Sequence, residues 1–193
     1  AEIEKHVRPD TILASNTSVM PITEIMQGLK HRERALGTHW WNPPFLVPLV
    51  EVIGTQWTSQ AAIDFTMKLH ADAGKEPAHV KKDVPGFIGN RLQHALWREA
   101  VSLVERGICD AETVDRVIKA AFGRRLAVLG PLENADLVGT DLTLAIHKTV
   151  LPDIEHRPGP SPYLERLVAE GKLGFKSGEG FRKWSAEEQA ALR

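Results

Sequence analysis

The chain opens with short apolar runs separated by helix-like stretches. Thr11–Asn16 (Thr-Ile-Leu-Ala-Ser-Asn) reads as a buried strand that ends in turn and cap residues. Pro21 to Leu29 predicts a short helix, with proline suited to its first turn. Leu36–Trp41 and Leu49–Ile53 predict two further strands. Thr58 to Ala73 predicts a helix. Thr58 or Ser59 can cap it, Ile63 with Met67 and Phe65 with Leu69 repeat at helical spacing, and Gly74 stops it. Ala78–Lys81 predicts a last short strand. Strand–helix alternation of this kind implies α/β layering.

The pattern changes at Asp83-Val84-Pro85-Gly86. Phe87 to Arg106 predicts a long helix with Leu92, Leu96 and Leu103 inward, ended by Gly107. Asp110 can cap the next helix, where Val114, Val117, Ile118, Ala121 and Phe122 follow the i, i+3, i+4, i+7, i+8 pattern. Leu137–Leu151 and Pro162–Glu170 predict two more. No strand pattern intervenes. The expected fold is α/β followed by all-α, with residues 1–84 forming the first domain and 85–193 the second.

Composition changes this picture little. The chain has 193 residues, 42% of them hydrophobic and 25% charged, which is ordinary for a globular protein. A formal net charge of −1 supplies no global field for nucleic acid or an anionic membrane. Cys109 is the single cysteine, so neither an internal disulfide nor a CxxC metal site is possible. No apolar run approaches the ~20 residues of a membrane span. The expectation is a cytoplasmic protein with no membrane partner and no metal.

The informative chemistry lies in the predicted strands. Glu51 sits within Leu49-Val50-Glu51-Val52-Ile53, where a core strand would carry an aliphatic residue. A carboxylate buried there needs a partner. His39, twelve residues earlier in the preceding strand, can supply it. A lone histidine would read as a satisfied core residue. A histidine oriented by a carboxylate is the layout of a general base. The Asn42-Pro43-Pro44 turn would fix the strand end that carries it, and Trp40-Trp41 reads as packing.

Ser15-Asn16-Thr17-Ser18 follows a strand directly. Asn16 and Thr17 read as cap or turn residues. Ser18 is the candidate for a hydroxyl facing a ligand at the carboxyl end of a strand. Asn90 and Arg91 begin the long helix, where Asn90 alone would read as capping or solvent-facing. The glycine-rich stretch 171–180 departs from the Gly-x-x-x-x-Gly-Lys-Ser/Thr order and reads as a turn.

At these residues the chain resembles the L-3-hydroxyacyl-CoA dehydrogenase family. Asn16-Thr17-Ser18, Gly37-Thr38-His39-Trp40-Trp41-Asn42-Pro43, Leu49-Val50-Glu51-Val52-Ile53, Pro85–Leu92 and Gly130–Asp141, followed by Gly178-Glu179-Gly180-Phe181, match its motifs in order. The resemblance implies a partial Rossmann-type parallel sheet and a helical dimerisation and substrate domain. It implies NAD as cofactor, an acyl-CoA or small hydroxy acid as substrate, a place in fatty acid metabolism, and a homodimer through the helical domain. By the same resemblance His39 would take the 3-hydroxyl proton, Glu51 would orient His39, Ser18 would bond the reacting oxygen near the nicotinamide, and Asn90 would hold the substrate carbonyl. Asn42 and Lys176 would be further cofactor contacts.

The family's opening strand, Gly-x-Gly-x-x-Gly and helix have no counterpart in these residues. The expectation is therefore a fragment lacking that half. Pro48, where fatty-acid enzymes carry Lys or Met nearby, also resembles relatives acting on free hydroxy acids of the gulonate and carnitine type. A non-catalytic dimerisation module is the remaining alternative.

Overall fold

The computed structural model describes residues 2–192. It divides into two compact units, one reaching to His94 and the other starting at Ala95.

The first unit is built on a four-stranded sheet in the order β1 (Leu13–Ser15), β2 (Ala35–Trp40), β3 (Leu49–Gly54), β4 (Glu76–Val80). The expected strands are present, and the sheet is mixed. β1 and β2 run parallel, as do β3 and β4, while β2 and β3 are antiparallel. The reason is connection length. Residues 41–48 are too few for a crossover that would return the chain parallel, so β2 turns back as a hairpin. The parallel pairs are bridged by α1 (Ile22–Met26) and α2 (Gln60–Asp72).

Alternation along the strands assigns their faces. Ala35, Gly37 and His39 share one face with Glu51 and Ile53. Ile22, Met26, Leu29, Val80 and Phe87 pack with Leu13, Ala35 and Ile53 into one apolar cluster. Leu36, Val50 and Val52 pack with Ala62 and Ile63 of α2 into another, flanked by Trp40 and Met67. Each fully buried side chain such as Ile22, Leu36 or Val52 contributes about 1.5–3 kcal/mol. Gly37 is needed where α1 crosses β2: a Cβ there would lie 2.6 Å from Ile22 Cδ1. Ser59 caps α2, accepting the Ala62 N–H at 3.2 Å, and Gly74 at φ 76° ends it.

α3 (Gly89–Glu105) runs into the second unit, which continues with α4 (Ala111–Ala120), α5 (Pro131–Val138), α6 (Thr140–Val150), α7 (Pro162–Ala169) and α8 (Ala186–Ala191). Asp110 caps α4 through the Thr113 N–H at 2.7 Å. The single helix expected over Leu137–Leu151 is instead two, because Gly139 at φ 101° breaks it. α8 is not among the expected elements, although Ser185 and Glu188 form a reciprocal capping box at its start. Short bridges join Gly174 to Glu179 and Glu179 to Lys183, so the glycine-rich stretch is a turn.

Candidate active site

The antiparallel register sets His39 directly opposite Glu51. Both side chains leave the sheet on the same face, and His39 Nδ1 lies 2.8 Å from Glu51 Oε2. The pair is almost wholly enclosed, with His39 4% and Glu51 1% exposed. A carboxylate accepts hydrogen bonds only, so this contact places a hydrogen on Nδ1 and leaves the lone pair of the neutral ring on Nε2. Among the described residues no protein group hydrogen-bonds Nε2, and it is not one of the polar atoms sealed from solvent.

Glu51 is held from a second side. Its Oε1 accepts the backbone N–H groups of Ile88 at 2.9 Å and Gly89 at 3.0 Å. These are orphan donors at the start of α3, where a negative charge is favoured. A left-handed turn delivers them: Gly86 has φ 74° and Phe87 φ 51°. A non-glycine residue in that region costs roughly 1–2 kcal/mol. Burial of the Phe87 ring, 1% exposed, offsets it. The Phe87 and His39 ring centroids are 5.6 Å apart.

The next residue of α3, Asn90, is 9% exposed and donates from Nδ2 to the backbone oxygen of Ser18 at 2.7 Å. One amide hydrogen is used there, and the second can still donate. The Gly86 N–H also reaches the Val19 carbonyl at 3.1 Å. Asn16 Oδ1 accepts the Trp40 N–H at 3.0 Å, tying the end of β1 to the end of β2. His39, Glu51, Asn90 and the Ser18 backbone are thus linked through the first turn of α3.

The Ser18 side chain is exposed, as is Asn42 in the turn after β2. Lys176 is exposed in the 171–180 turn and belongs to the second unit. Sequence reasoning passed over Phe87 and Gly89, and it treated Trp41 as packing alone. Gly86-Phe87 is a detectable turn signal, whereas the left-handed Phe87 has none. Trp41 lies with its ring centroid 5.4 Å from that of His39. No group of three His, Cys, Asp or Glu is placed to hold a metal ion among the described residues. No helix there is long and apolar enough to cross a membrane.

Both units have counterparts among known proteins. Residues 1–84 match the family model for the 3-hydroxyacyl-CoA dehydrogenase NAD-binding domain, and residues 86–184 match that for its C-terminal domain. The chain is similar to 5-formyl-3-hydroxy-2-methylpyridine 4-carboxylate 5-dehydrogenase of Mesorhizobium japonicum. Identity is 38% over 191 residues, covering 99% of this chain and 62% of that protein. It is 40% identical over 186 residues to human mitochondrial hydroxyacyl-coenzyme A dehydrogenase, covering 94% of this chain and 57% of that protein. A solved structure of a 5-dehydrogenase of that pyridine carboxylic acid, an NAD+-dependent dismutase, superposes with TM-score 0.94 at 38% identity, covering 99% of this chain and 62% of that one. The chain therefore spans about three fifths of the length of these relatives.

Proposed function

Because the chain belongs to the 3-hydroxyacyl-CoA dehydrogenase family, we propose that it carries the proton-transfer site of an NAD-dependent enzyme that oxidises the 3-hydroxyl of a 3-hydroxyacyl-CoA to the keto form. The observation that carries this reading is the buried 2.8 Å contact between His39 Nδ1 and Glu51. His39 Nε2 takes the hydroxyl proton, and Glu51 stabilises the imidazolium that results. The Ser18 hydroxyl bonds the reacting oxygen. Asn90 binds the substrate carbonyl through its second amide hydrogen and stabilises charge there. In the reverse direction His39 returns the proton to the alkoxide.

The donor set suits a nicotinamide. Ser18 Oγ and the Asn42 amide are exposed neutral groups following β1 and β2, and they match a carboxamide in hydrogen-bonding character. They would hold that end of NAD. NAD supplies, when bound, the acceptor for the hydride leaving the carbinol carbon. The domain division in this reading is 1–84 and 85–193, which the limits of the two family models support.

The helical unit suits a homodimer. Among the described residues beyond Ala95 the buried apolar side chains are Val114 and Leu167, while Val128, Leu132 and Leu137 are largely exposed. A second copy would cover such a surface.

A second reading is a dehydrogenase of a free hydroxy acid. The TM-score of 0.94 with a dehydrogenase whose named substrate is a free carboxylic acid and not a CoA thioester favours it. The test is NAD reduction by the full-length protein with 3-hydroxybutyryl-CoA against free 3-hydroxybutyrate and carnitine. The first reading expects the thioester to be the better substrate by kcat/KM. Equal or faster turnover of a free acid rejects it in favour of the second.

A further inference from the structure

Trp41 borders the His39–Glu51 pair without a part in the proton transfer. Its ring is tilted 49° to that of His39 at 5.4 Å between centroids, on an imidazole that also meets Phe87. The same indole lies against Gly89. A Cβ at that position would be 2.3 Å from Trp41 Cζ2 and 3.2 Å from Cε2 and Cη2. These are atoms of a rigid ring, so no flexible tip can give way. The indole Nε1 is sealed from solvent and has no hydrogen-bond partner. The tryptophan is therefore used here for its volume, since its N–H gains nothing.

Gly89 is engaged on two sides at once. Its missing side chain receives the Trp41 ring, and its N–H holds Glu51 Oε1 at 3.0 Å. The contacts close a cycle: Trp41 rests on Gly89, Gly89 holds Glu51, Glu51 holds His39, and His39 packs against Trp41. We propose that Trp41 is a positioning residue for His39, acting through its steric fit on Gly89. This rests on the reading of His39 as the base. Trp40, one residue earlier, packs with the α2-side cluster and takes no part.

An alanine at 89 must displace the indole from His39 or lift the first turn of α3 from Glu51. Removing part of the indole should relieve that conflict. The experiment compares wild type, Gly89→Ala, Trp41→Phe and the double variant of the full-length enzyme. It records the ring-nitrogen NMR signals of His39, assigned by their loss in His39→Gln, and steady-state kinetics with NAD.

Gly89→Ala is expected to shift the His39 signals and to lower kcat on the order of tenfold or more, while KM for NAD stays within about twofold. The double variant is expected to recover both the signals and most of kcat. Unchanged His39 signals in Gly89→Ala, or a double variant no better than Gly89→Ala, overturns the proposal. If Gly89→Ala does not fold, Trp41→Phe decides: shifted His39 signals support the proposal and unchanged ones overturn it. Full turnover in His39→Gln would instead overturn the base assignment, and the NMR readout would still report on the packing.

Discussion

His39 and Glu51 face each other across the antiparallel β2–β3 pair, and the carboxylate that meets the imidazole also accepts two N–H groups from the start of α3. One oxygen is spent on the ring and the other on the helix. The side chain that meets the imidazole is thereby fixed to the segment that carries Asn90. Orientation of the imidazole and placement of the amide are consequently one structural event.

Glu51→Gln should separate orientation from binding. The amide can still accept from the α3 N–H groups with its oxygen, but it then presents N–H groups to His39 Nδ1. The ring would have to move its hydrogen to Nε2, the wrong atom for accepting a proton. Loss of the correct tautomer costs on the order of 10²–10⁴ in kcat. The expected result in the full-length enzyme is a fall in kcat of that order with KM changed by less than about threefold. Intact turnover with raised KM would show that Glu51 does not orient the base.

Asn90→Ala removes the bond to the Ser18 carbonyl and the amide hydrogen that the proposed mechanism offers to substrate. Losing a single donor to developing charge costs on the order of 10²–10³ in kcat, and losing the buried bond destabilises by about 1 kcal/mol. Asn90→Asp keeps the size but replaces the donor by an acceptor facing a carbonyl, so it should be no better than alanine in turnover. An aspartate variant with wild-type kcat would remove Asn90 from the site.

The His–Glu pair was legible because a carboxylate in a five-residue apolar run is costly without a partner, and the preceding strand carried an imidazole that could supply one. Ser18 was picked out by its place just after a strand, whereas Asn90 was reached through motif resemblance, since spacing alone leaves it as a capping or solvent-facing residue. The strands themselves and α2 followed from periodicity. The antiparallel hairpin, by contrast, is set by an eight-residue connection rather than by any pattern within the strands. Gly139 passed unnoticed inside an apolar stretch, because periodicity does not register a single residue at φ 101°. The Trp41–Gly89 contact joins residues 48 positions apart in a chain read without a partner sequence, and only coordinates bring them together.

Gly37→Ala tests the seat of α1 on β2. The new methyl would meet Ile22 Cδ1 and Cγ1 at 2.6 and 2.7 Å and Ile53 Cδ1 at 3.1 Å, all within the buried face that carries His39. Overpacking of this kind costs about 1–3 kcal/mol. The urea midpoint should fall with the slope unchanged. Gly28→Ala is the control, because nothing lies within 4 Å of its Cβ position. Its effect should stay within about 1 kcal/mol. Equal midpoints for the two variants would mean that α1 shifts freely over the sheet.

The second unit should carry its own acid sensitivity. The Glu155 side chain, 11% exposed, accepts Arg157 Nε at 2.7 Å and the Arg157 backbone N–H at 2.6 Å. The side-chain bond from Arg157 is the leading cause that holds its carboxyl down at about 2, against an ordinary 4.5. Arg157 is shared with Glu105 Oε2 at 2.9 Å and is held correspondingly more firmly protonated. Between these two values the unfolded chain binds a proton at Glu155 that the folded chain does not, so stability falls as pH falls. The contribution is complete above pH 4.5 and is lost on approach to pH 2. Glu155→Gln should therefore flatten the dependence of the urea midpoint on pH across that window while leaving its shape above pH 5 unchanged. An identical acid slope in wild type and variant would show that the Glu155–Arg157 contact does not persist in solution.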